Sequence, residues 1–160
     1  MNAQSPAPSP VPVAATPMHV RRFDEPDTAA VISLWQACAL TRPWNDPAKD
    51  ITRKLSVQPE LFLVGEVASR LMASAMVGYD GHRGWVNYLA VHPDLRRQGH
   101  GEGLMRHAEQ ALLSLGCPKL NLQVRSSNAG VLAFYRALGY LPDDVVSLGK
   151  RLVVDQAPVA

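Results

Sequence analysis

Residues 89–104 have the sequence LAVHPDLRRQGHGEGL, and this stretch decides the fold. Its apolar beginning, Leu89 to Val91, predicts a short strand, and Pro93 predicts a turn directly after it. From about Gly101 onward the apolar side chains recur at helical spacing, which predicts an amphipathic helix. The stretch therefore predicts a strand, a tight loop and a helix in immediate succession.

The loop between this strand and this helix has the properties of an anion-binding site. Backbone N–H groups at a helix start carry partial positive charge and lack intrahelical acceptors, so they bind anions. Gly99 and Gly101 have no Cβ, which lets a phosphate approach the main chain. Arg96 and Arg97 add permanent positive charge at the rim. We therefore expect a pyrophosphate group to bind here.

Two other glycine-rich phosphate loops fit this sequence worse. A dinucleotide-binding fingerprint needs Gly-x-Gly-x-x-Gly, but the third glycine here is Gly103, one position too early. It also needs an acidic residue about 20 positions further on, where this chain has the sequence NLQV at residues 121–124. The Gly-Lys-Ser/Thr of a P-loop does not occur. A glycine-rich helix start that binds no ligand remains the alternative on this loop alone.

A second segment lies about 25 residues downstream. Residues 124–140 have the sequence VRSSNAGVLAFYRALGY. The Arg-x-x-Gly-x-Gly loop followed by Asn, Phe-Tyr and Leu-Gly-Tyr resembles the GNAT superfamily of N-acetyltransferases. The resemblance extends from about residue 18 to residue 154. Within it, RPWNDP at 42–47, YDGHRG at 79–84 and SLGKRL at 147–152 look like the bacterial YpeA-type members.

Composition bounds the class of protein. The chain has 160 residues, of which 47% are hydrophobic and 19% charged, as expected for one globular domain. A net charge of +2 gives no argument for nucleic acid or a membrane surface as a partner. No stretch approaches the roughly 18 apolar residues of a membrane span. Two cysteines, Cys38 and Cys117, make no disulfide framework, so we expect a reduced, cytoplasmic protein.

The sequence divides into three parts. Residues 1–17 are rich in alanine and proline and carry no charge, which predicts a disordered tail. This tail is a partner-binding arm, an accessory segment, or the product of an upstream start codon, with Met18 as the true start. Residues 18–155 form the predicted N-acetyltransferase domain, and residues 156–160 a flexible C-terminus.

Periodicity predicts the elements of this domain. The helices are expected from Asp27 to about Cys38 and at residues 47–57, 101–115 and 128–138. The strands are expected at residues 19–23, 61–67, 71–79, 85–91 and 119–124, with two short ones near 140–141 and 145–154. The expected fold class is α/β (α+β), the GNAT fold: a mixed, mostly antiparallel sheet of about six or seven strands, splayed at the cofactor cleft, with helices on both faces.

The resemblance implies how acetyl-coenzyme A binds. The strand before the loop and the strand at 119–124 splay apart, and the pantetheine arm pairs with the backbone of Leu89, Ala90 and Val91. The pyrophosphate is held by the loop, whose expected cofactor-binding residues are Arg96, Arg97, Gln98, Gly99, His100, Gly101 and Glu102. Asn128 matches a residue that contacts the coenzyme arm. A backbone N–H near residues 89–91 would polarise the thioester carbonyl. No metal is expected.

The resemblance also implies direct acetyl transfer to a primary amine. Tyr135 matches the general acid that protonates the departing thiolate, while its alternative role is to anchor the core. Gln123 stands where relatives often carry Glu, and an amide cannot accept the proton. Glu66 is therefore our candidate base, with Asp80 and His82 as others. Each of these three is equally explained as a surface polar group, and the acceptor could also arrive already neutral.

The acceptor amine is expected to bind between the segment 44–50 and the loop 79–84. Trp44 and Tyr79 offer aromatic faces, and Asp50 and Asp80 offer carboxylates for an ammonium group. An aspartate in a loop is as readily a turn cap. The acceptor could be a small molecule or a peptide. Two further alternatives are a non-catalytic acyl-coenzyme A binding module and a transferase for a longer acyl donor; a homodimer is also open.

Overall fold

The computed structural model describes residues 16–155. Residues 1–15 and 156–160 lie outside this range, so the predicted tail and C-terminus are not described beyond Thr16 and Pro17. These two residues are exposed and belong to no helix or strand. The predicted domain, 18–155, therefore coincides with nearly all of the described chain.

A five-stranded sheet forms the centre of the molecule. Its strands lie side by side in chain order: β1 (Met18–Arg22), β2 (Phe62–Val67), β3 (Arg70–Tyr79), β4 (Gly84–Val91) and β5 (Leu120–Leu122). Neighbours are antiparallel except β4 and β5, which are parallel. A parallel pair needs a crossover connection, and the α-helix between β4 and β5 supplies it.

Four α-helices cover the two faces of this sheet. They are α1 (Thr28–Ala37), α2 (Pro47–Leu55), α3 (His100–Ser114) and α4 (Ala129–Ala137). Asp46 begins α2 by accepting from the backbone N–H groups of Ala48 and Lys49, and Pro47 occupies the first helical position. Asn128 begins α4 in the same way, accepting from the N–H of Val131 at 3.2 Å.

Each face of the sheet has its own hydrophobic core. On one face α3 and α4 pack through Leu104, Met105, Ala108, Leu112 and Tyr135. On the other face α1 and α2 pack through Val31, Leu34, Trp35 and Ile51 against Phe62 and Val64 of β2. Strands buried on both faces have near-continuous apolar sequence, and β2 and β3 show it. The fold class predicted from the sequence is confirmed.

The elements between residues 18 and 138 match their prediction to within a few residues. Strands β2 and β3 form a hairpin that turns at Ala68 and Ser69, both with positive φ, as a tight two-residue turn requires. The segment after α4 is different, because residues 138–155 contain no strand. The prediction of strands near 140–141 and 145–154 was wrong for this structure.

A strand needs a ladder of backbone hydrogen bonds, and residues 141–155 make none with the rest of the described chain. Side chains hold the segment instead. Asp143 pairs with Lys119 at 2.6 Å, and Ser147 accepts from the Gln123 amide at 2.6 Å. Pro142 lacks an N–H, which weakens pairing at the start of the segment. Its large apolar residues are exposed: Leu141, Val145, Val146, Leu148, Leu152, Val153 and Val154.

Candidate active site

Strands β4 and β5 separate partway along their length. The parallel pairing joins Gly84–Val86 to Leu120–Leu122, whereas β4 continues to Val91. Beyond Val86, no strand between residues 16 and 155 pairs with this edge of β4. The sequence-based expectation of splayed strands is therefore met by the geometry, and the exposed edge can accept an extended ligand.

A β-bulge lies where the two strands separate. The register of β4 against β3 shifts so that Tyr88 and Leu89 both oppose Ala75. Tyr88 has φ +50°, a left-handed conformation that a bulky residue adopts only under strain. The Ser74 hydroxyl donates to the Tyr88 carbonyl at 3.3 Å and accepts from the Trp35 indole at 2.9 Å. This buried network fixes the bulge in place.

The loop after β4 forms a backbone cradle at the start of α3. It begins with a short 3-10 turn at Pro93–Leu95, and then Arg97 (φ +63°) and Gly99 (φ +82°) reverse the chain. Gly99 is the N-cap of α3 and offers no side chain to cap it. The first-turn N–H groups of α3, beginning at His100, therefore have no intrahelical acceptor and can bind an anion.

The cradle is positively charged. Within residues 16–155, neither Arg96 nor Arg97 has a carboxylate within ion-pairing distance, and both side chains are exposed. The acidic residue of the first helical turn, Glu102, is paired with Arg106 at 2.5 Å, so its charge is compensated. The residues present thus fit a pyrophosphate group, which carries opposite charge.

Two further residues of the cradle are constrained by packing. A Cβ on Gly101 would lie 3.2 Å from Cζ of Phe134, so the glycine lets α3 approach α4 closely. The sequence alone predicts a different role for Gly101, which is to leave room for a phosphate. The His100 ring is buried, and its Nε2 has no hydrogen-bond partner in the described chain. A buried polar atom of this kind requires a partner, which a bound molecule can supply.

Tyr135 lies on α4, within the same core cluster as Leu89 and Val91 of β4. Burial raises the pKa of its phenol to about 12, so the group keeps its proton throughout the neutral range. Its ring makes edge-on contacts with Phe134 and Tyr140. The side-chain oxygen of Asn128 is engaged in capping α4, which leaves its amide N–H₂ as the group that could contact a ligand.

The other residues expected to contact the pantetheine arm are fixed within β4. Ala90 is buried and opposite Ser74, and Val91 is opposite Ala73. The Cys38 thiol, from the end of α1, donates to the Val91 carbonyl at 3.3 Å. The backbone at 89–91 is thus supported from α1 and from β3 at once.

The candidate base Glu66 lies away from this strand. It is on β2, with β3 between it and β4. Its carboxylate accepts from Arg21 at 2.7 and 3.0 Å, and the same guanidinium also binds Asp27 at 2.7 Å. A carboxylate held by a guanidinium on the outer part of the sheet is badly placed to take a proton from an amine at the bulge. The geometry therefore disfavours Glu66 as the base.

A cleft of about 630 Å³ opens between α2 and the C-terminal segment. We call it the acceptor cleft, because it contains Asp50, which the sequence predicts to contact an acceptor. Its lining residues are Asn45, Asp50, Arg53, Gly149, Lys150, Arg151, Leu152, Val153 and Asp155. More than 90 positions separate the two groups of residues in the sequence, so the cleft exists only because the C-terminal segment returns to α2.

Asp50 connects the acceptor cleft to the bulge. Its Oδ2 accepts from the Tyr88 hydroxyl at 2.7 Å, and its Oδ1 accepts from Arg53 at 3.1 Å. Burial and the contact with Asp50 raise the pKa of Tyr88 to about 12, so this phenol remains a donor. Asp50, which the sequence predicts to contact the acceptor, lies one hydrogen bond away from the strained residue of β4.

The C-terminal segment is tied to α2 through Asp155. This carboxylate is buried, pairs with Arg53 and accepts from the Asp46 backbone N–H at 3.3 Å. The Arg53 guanidinium lowers the pKa of Asp155 to about 2. Lys49 donates to the Asp155 carbonyl, and Arg151 donates to the Trp44 carbonyl at 3.1 Å.

The remaining predicted acceptor residues do not line the cleft. Asp80 closes its own loop, with Oδ1 accepting from the His82 and Arg83 N–H groups and Oδ2 from the Trp85 indole. These hydrogen bonds lower the pKa of Asp80. Tyr79 is held at its backbone by the Gln58 amide. Trp44 is about half exposed, and its carbonyl accepts from Arg151.

Sequence reasoning missed Arg53, Lys150 and Asp155 as functional candidates. Arg53 and Asp155 are 102 residues apart and carry no local signal of pairing. Lys150 was noticed only as part of the SLGKRL motif. Tyr88 is also among these residues, because nothing in the sequence indicates its left-handed backbone.

Comparison with known proteins agrees with this geometry. The Acetyltransferase (GNAT) family matches residues 29–140, and the chain belongs to that family. A protein named acetyltransferase from Yersinia enterocolitica is 51% identical over 139 residues, 87% of this chain and 99% of the relative. An acetyltransferase from Pectobacterium atrosepticum is 49% identical with the same coverage.

Two solved structures show the same fold. Ard1 from Thermoplasma volcanium superposes with a TM-score of 0.70 at 25% identity, covering 81% of this chain and 84% of that one. The ribosomal-protein-S18-alanine N-acetyltransferase of Escherichia coli gives a TM-score of 0.64 at 25% identity, covering 76% of each. No helix among residues 16–155 is long and apolar enough to cross a membrane.

Proposed function

We propose that the protein is an N-acetyltransferase that moves the acetyl group of acetyl-coenzyme A directly to a primary amine. The observation that carries this proposal is the coincidence of three features along β4: a free strand edge, a bulge, and a positively charged backbone cradle directly after it. An acyl-coenzyme A has a matching order of parts, with a thioester, an extended amide arm and a pyrophosphate.

In this proposal β4 and the cradle position the donor. The arm lies along the backbone of residues 89–91, and the pyrophosphate lies on the N–H groups from Arg97 to Glu102. Arg96 and Arg97 add charge at the rim, and the orphaned Nε2 of His100 is available to a bound molecule. A backbone N–H near the bulge polarises the thioester carbonyl, where the strained conformation of Tyr88 sets the direction of the peptide groups.

The acceptor enters from the acceptor cleft, where Asp50 holds its ammonium group. Once neutral, the amine nitrogen attacks the thioester carbonyl carbon, a C–N bond forms and the C–S bond breaks. The proton of the amine leaves to water in the open cleft, and the Tyr135 phenol donates its proton to the departing sulfur. With a pKa of about 12, Tyr135 is fully protonated before each turnover and is readily reprotonated afterwards.

We also propose a cytoplasmic setting, which the free thiols of Cys38 and Cys117 support. The released coenzyme is itself a thiol and belongs to a reducing compartment.

Release of free thiol from acetyl-coenzyme A, measured over a panel of primary amines and peptides, tests the proposed function. We expect amine-dependent release of thiol together with an acetylated product. This product is about 42 Da heavier than the acceptor, because one hydrogen is replaced by one acetyl group. A protein that binds coenzyme A in calorimetry but releases no thiol with any amine would instead be a binding module. Turnover with longer acyl donors in preference to acetyl would correct the donor alone.

A further inference from the structure

The acceptor cleft contains more positive charge than its own carboxylates balance. Arg53, Lys150 and Arg151 line it, opposite Asp50 and Asp155. Both carboxylates bind the same partner, since Arg53 contacts Asp50 at 3.1 Å and also pairs with Asp155. Three cations against two carboxylates leave the lining with a net charge of +1, and among residues 16–155 neither Lys150 nor Arg151 is ion-paired with a carboxylate.

The surroundings of these two cations support this charge count. Among residues 16–155, no carboxylate lies within ion-pairing distance of the Lys150 ammonium. Within the described residues, Arg151 donates to two neutral oxygens, the Trp44 carbonyl at 3.1 Å and the Asn45 side-chain oxygen at 3.3 Å.

From this arrangement we infer that the acceptor is a small amine that also carries an anionic group, a carboxylate or a phosphate. The inference rests on the proposed function and specifies its substrate class. Asp50 provides the negative end of the cleft for the ammonium, and Lys150 provides the positive end for the anion. A carboxylate on α2 and a lysine on the C-terminal segment, lining one concave site, favour a ligand that carries both charges and orient it.

The closed side of the cleft and its charge favour a small amine over a polycation. The C-terminal segment closes one side, because Asp155 is tied to Arg53 and the Asp155 carbonyl accepts from Lys49. A long polycation would meet Lys150 and Arg151 with like charge, which costs binding free energy.

Matched pairs of amines test this inference. Each pair differs only in the anion: glycine with glycinamide, L-leucine with L-leucinamide, and phosphoethanolamine with ethanolamine. We expect kcat/KM for thiol release to favour the anionic member of at least one pair tenfold or more, and the preference to fall at high salt. In parallel, calorimetry on protein saturated with coenzyme A measures binding of the same amines.

Charge variants identify the residue responsible. Lys150→Gln should raise KM for the anionic amine about three- to tenfold, with kcat and coenzyme A affinity little changed, and Lys150→Arg should restore it. Arg70→Gln is the matched control, because Arg70 is an exposed cation at the first position of β3 and not part of the cleft. It should leave the preference between pair members intact.

The outcomes separate the two proposals. Equal or better use of the uncharged or polycationic amines, or of peptides alone, would overturn the inference while supporting the proposed function. If no amine gives thiol release, the proposed function fails. The calorimetric measurements of amine binding then test the inference alone. Binding of anionic amines that is weakened by Lys150→Gln supports it, and binding without any preference for the anion overturns it.

Discussion

The cradle and the acceptor cleft are built in opposite ways. The cradle consists of consecutive residues, 93–102, and its chemistry comes from backbone N–H groups at the start of α3. The acceptor cleft combines residues 45–53 with residues 149–155, and its chemistry comes from side chains. Tyr88 lies between them, since its backbone belongs to the bulge and its hydroxyl to the cleft.

This difference has a functional meaning. A side-chain substitution does not change the backbone N–H groups. A cradle made from them therefore keeps the same ligand as long as its left-handed backbone conformations are preserved. A cleft made from side chains changes its ligand with every substitution. A single scaffold can therefore keep its donor and exchange its acceptor, and substitutions in the two regions should have separable effects on binding.

The largest effect is expected at Gly101. Valine there must displace Phe134, 3.2 Å from the new Cβ, and it crowds the first turn of α3, so coenzyme A affinity should fall at least about 100-fold, or ~2.7 kcal/mol. Gly103→Val is the control, because its Cβ would meet only Met18 at 3.8 Å and its N–H already bonds to the Gly99 carbonyl. Calorimetry with coenzyme A measures both variants. Equal coenzyme A affinities in the two variants would show that the pyrophosphate does not bind at the first turn of α3.

A second expectation separates donor chemistry from donor binding. Tyr135→Phe should lower kcat about 10- to 100-fold with coenzyme A affinity unchanged, since it removes one proton donor and almost no volume. Tyr140→Phe is the matched control on the same aromatic cluster, where the hydroxyl donates to Glu109 at 2.6 Å. Because burial raises the pKa of Tyr135 to about 12, its acid role predicts no loss of rate up to about pH 11. Steady-state kinetics with an active amine decide this, and equal kcat in the two variants would exclude the acid role.

The acceptor side is tested by two aspartates that the sequence treats alike. Asp50→Asn should raise acceptor KM about tenfold and leave coenzyme A affinity unchanged, since the amide still accepts from Tyr88 but attracts no ammonium. Asp80→Asn should leave KM unchanged and lower the melting temperature, because its carboxylate accepts three hydrogen bonds in its own loop.

The pH dependence of Asp80→Asn provides an internal check. The folded pKa of Asp80 is lowered, so its stabilising contribution is present above the unfolded pKa near 4 and is lost as the pH falls below it. The difference in melting temperature from the wild type should therefore shrink under acid conditions. A raised acceptor KM in Asp80→Asn would indicate that the loop 79–84 contacts the acceptor after all.

The smallest effect is expected from loosening the cleft wall. Asp155→Asn removes the charge that Arg53 binds, so amide hydrogen exchange across residues 149–155 should accelerate and acceptor KM should rise only about threefold. Asp143→Asn, which breaks the exposed pair with Lys119, is the control and should not change that exchange. Because the folded pKa of Asp155 is about 2, the tie should persist from neutral pH down to about 4 and be lost as the pH falls through 2.

The contrast between the two regions also explains what could be predicted from the sequence. Local signals were sufficient for the elements up to residue 138, because caps such as Asp46 and turns such as Ala68-Ser69 act over a few residues. The cradle was predictable for the same reason. The pairing of Arg53 with Asp155 spans 102 residues and depends on how the whole chain packs.

The points that the sequence alone leaves open have a common physical origin. The position of Glu66 at the end of a strand predicts a base, whereas its ion pair with Arg21 depends on β1 lying beside β2. The segment predicted to form strands after α4 has suitable residues but no backbone hydrogen-bond ladder with the rest of residues 16–155. Asp50 and Asp80 are equivalent as sequence, and only the packing of α2 over β4 distinguishes them.

Trp35 is a fluorophore that lies directly against the bulge. Its indole is fully buried and stacked on the Tyr88 ring at 4.0 Å, and that ring donates to Asp50 in the acceptor cleft. Any molecule that displaces or polarises this hydrogen bond alters the immediate surroundings of a fluorophore. With Trp44 and Trp85 replaced by phenylalanine, emission from Trp35 alone would follow acceptor binding, with no label and no turnover.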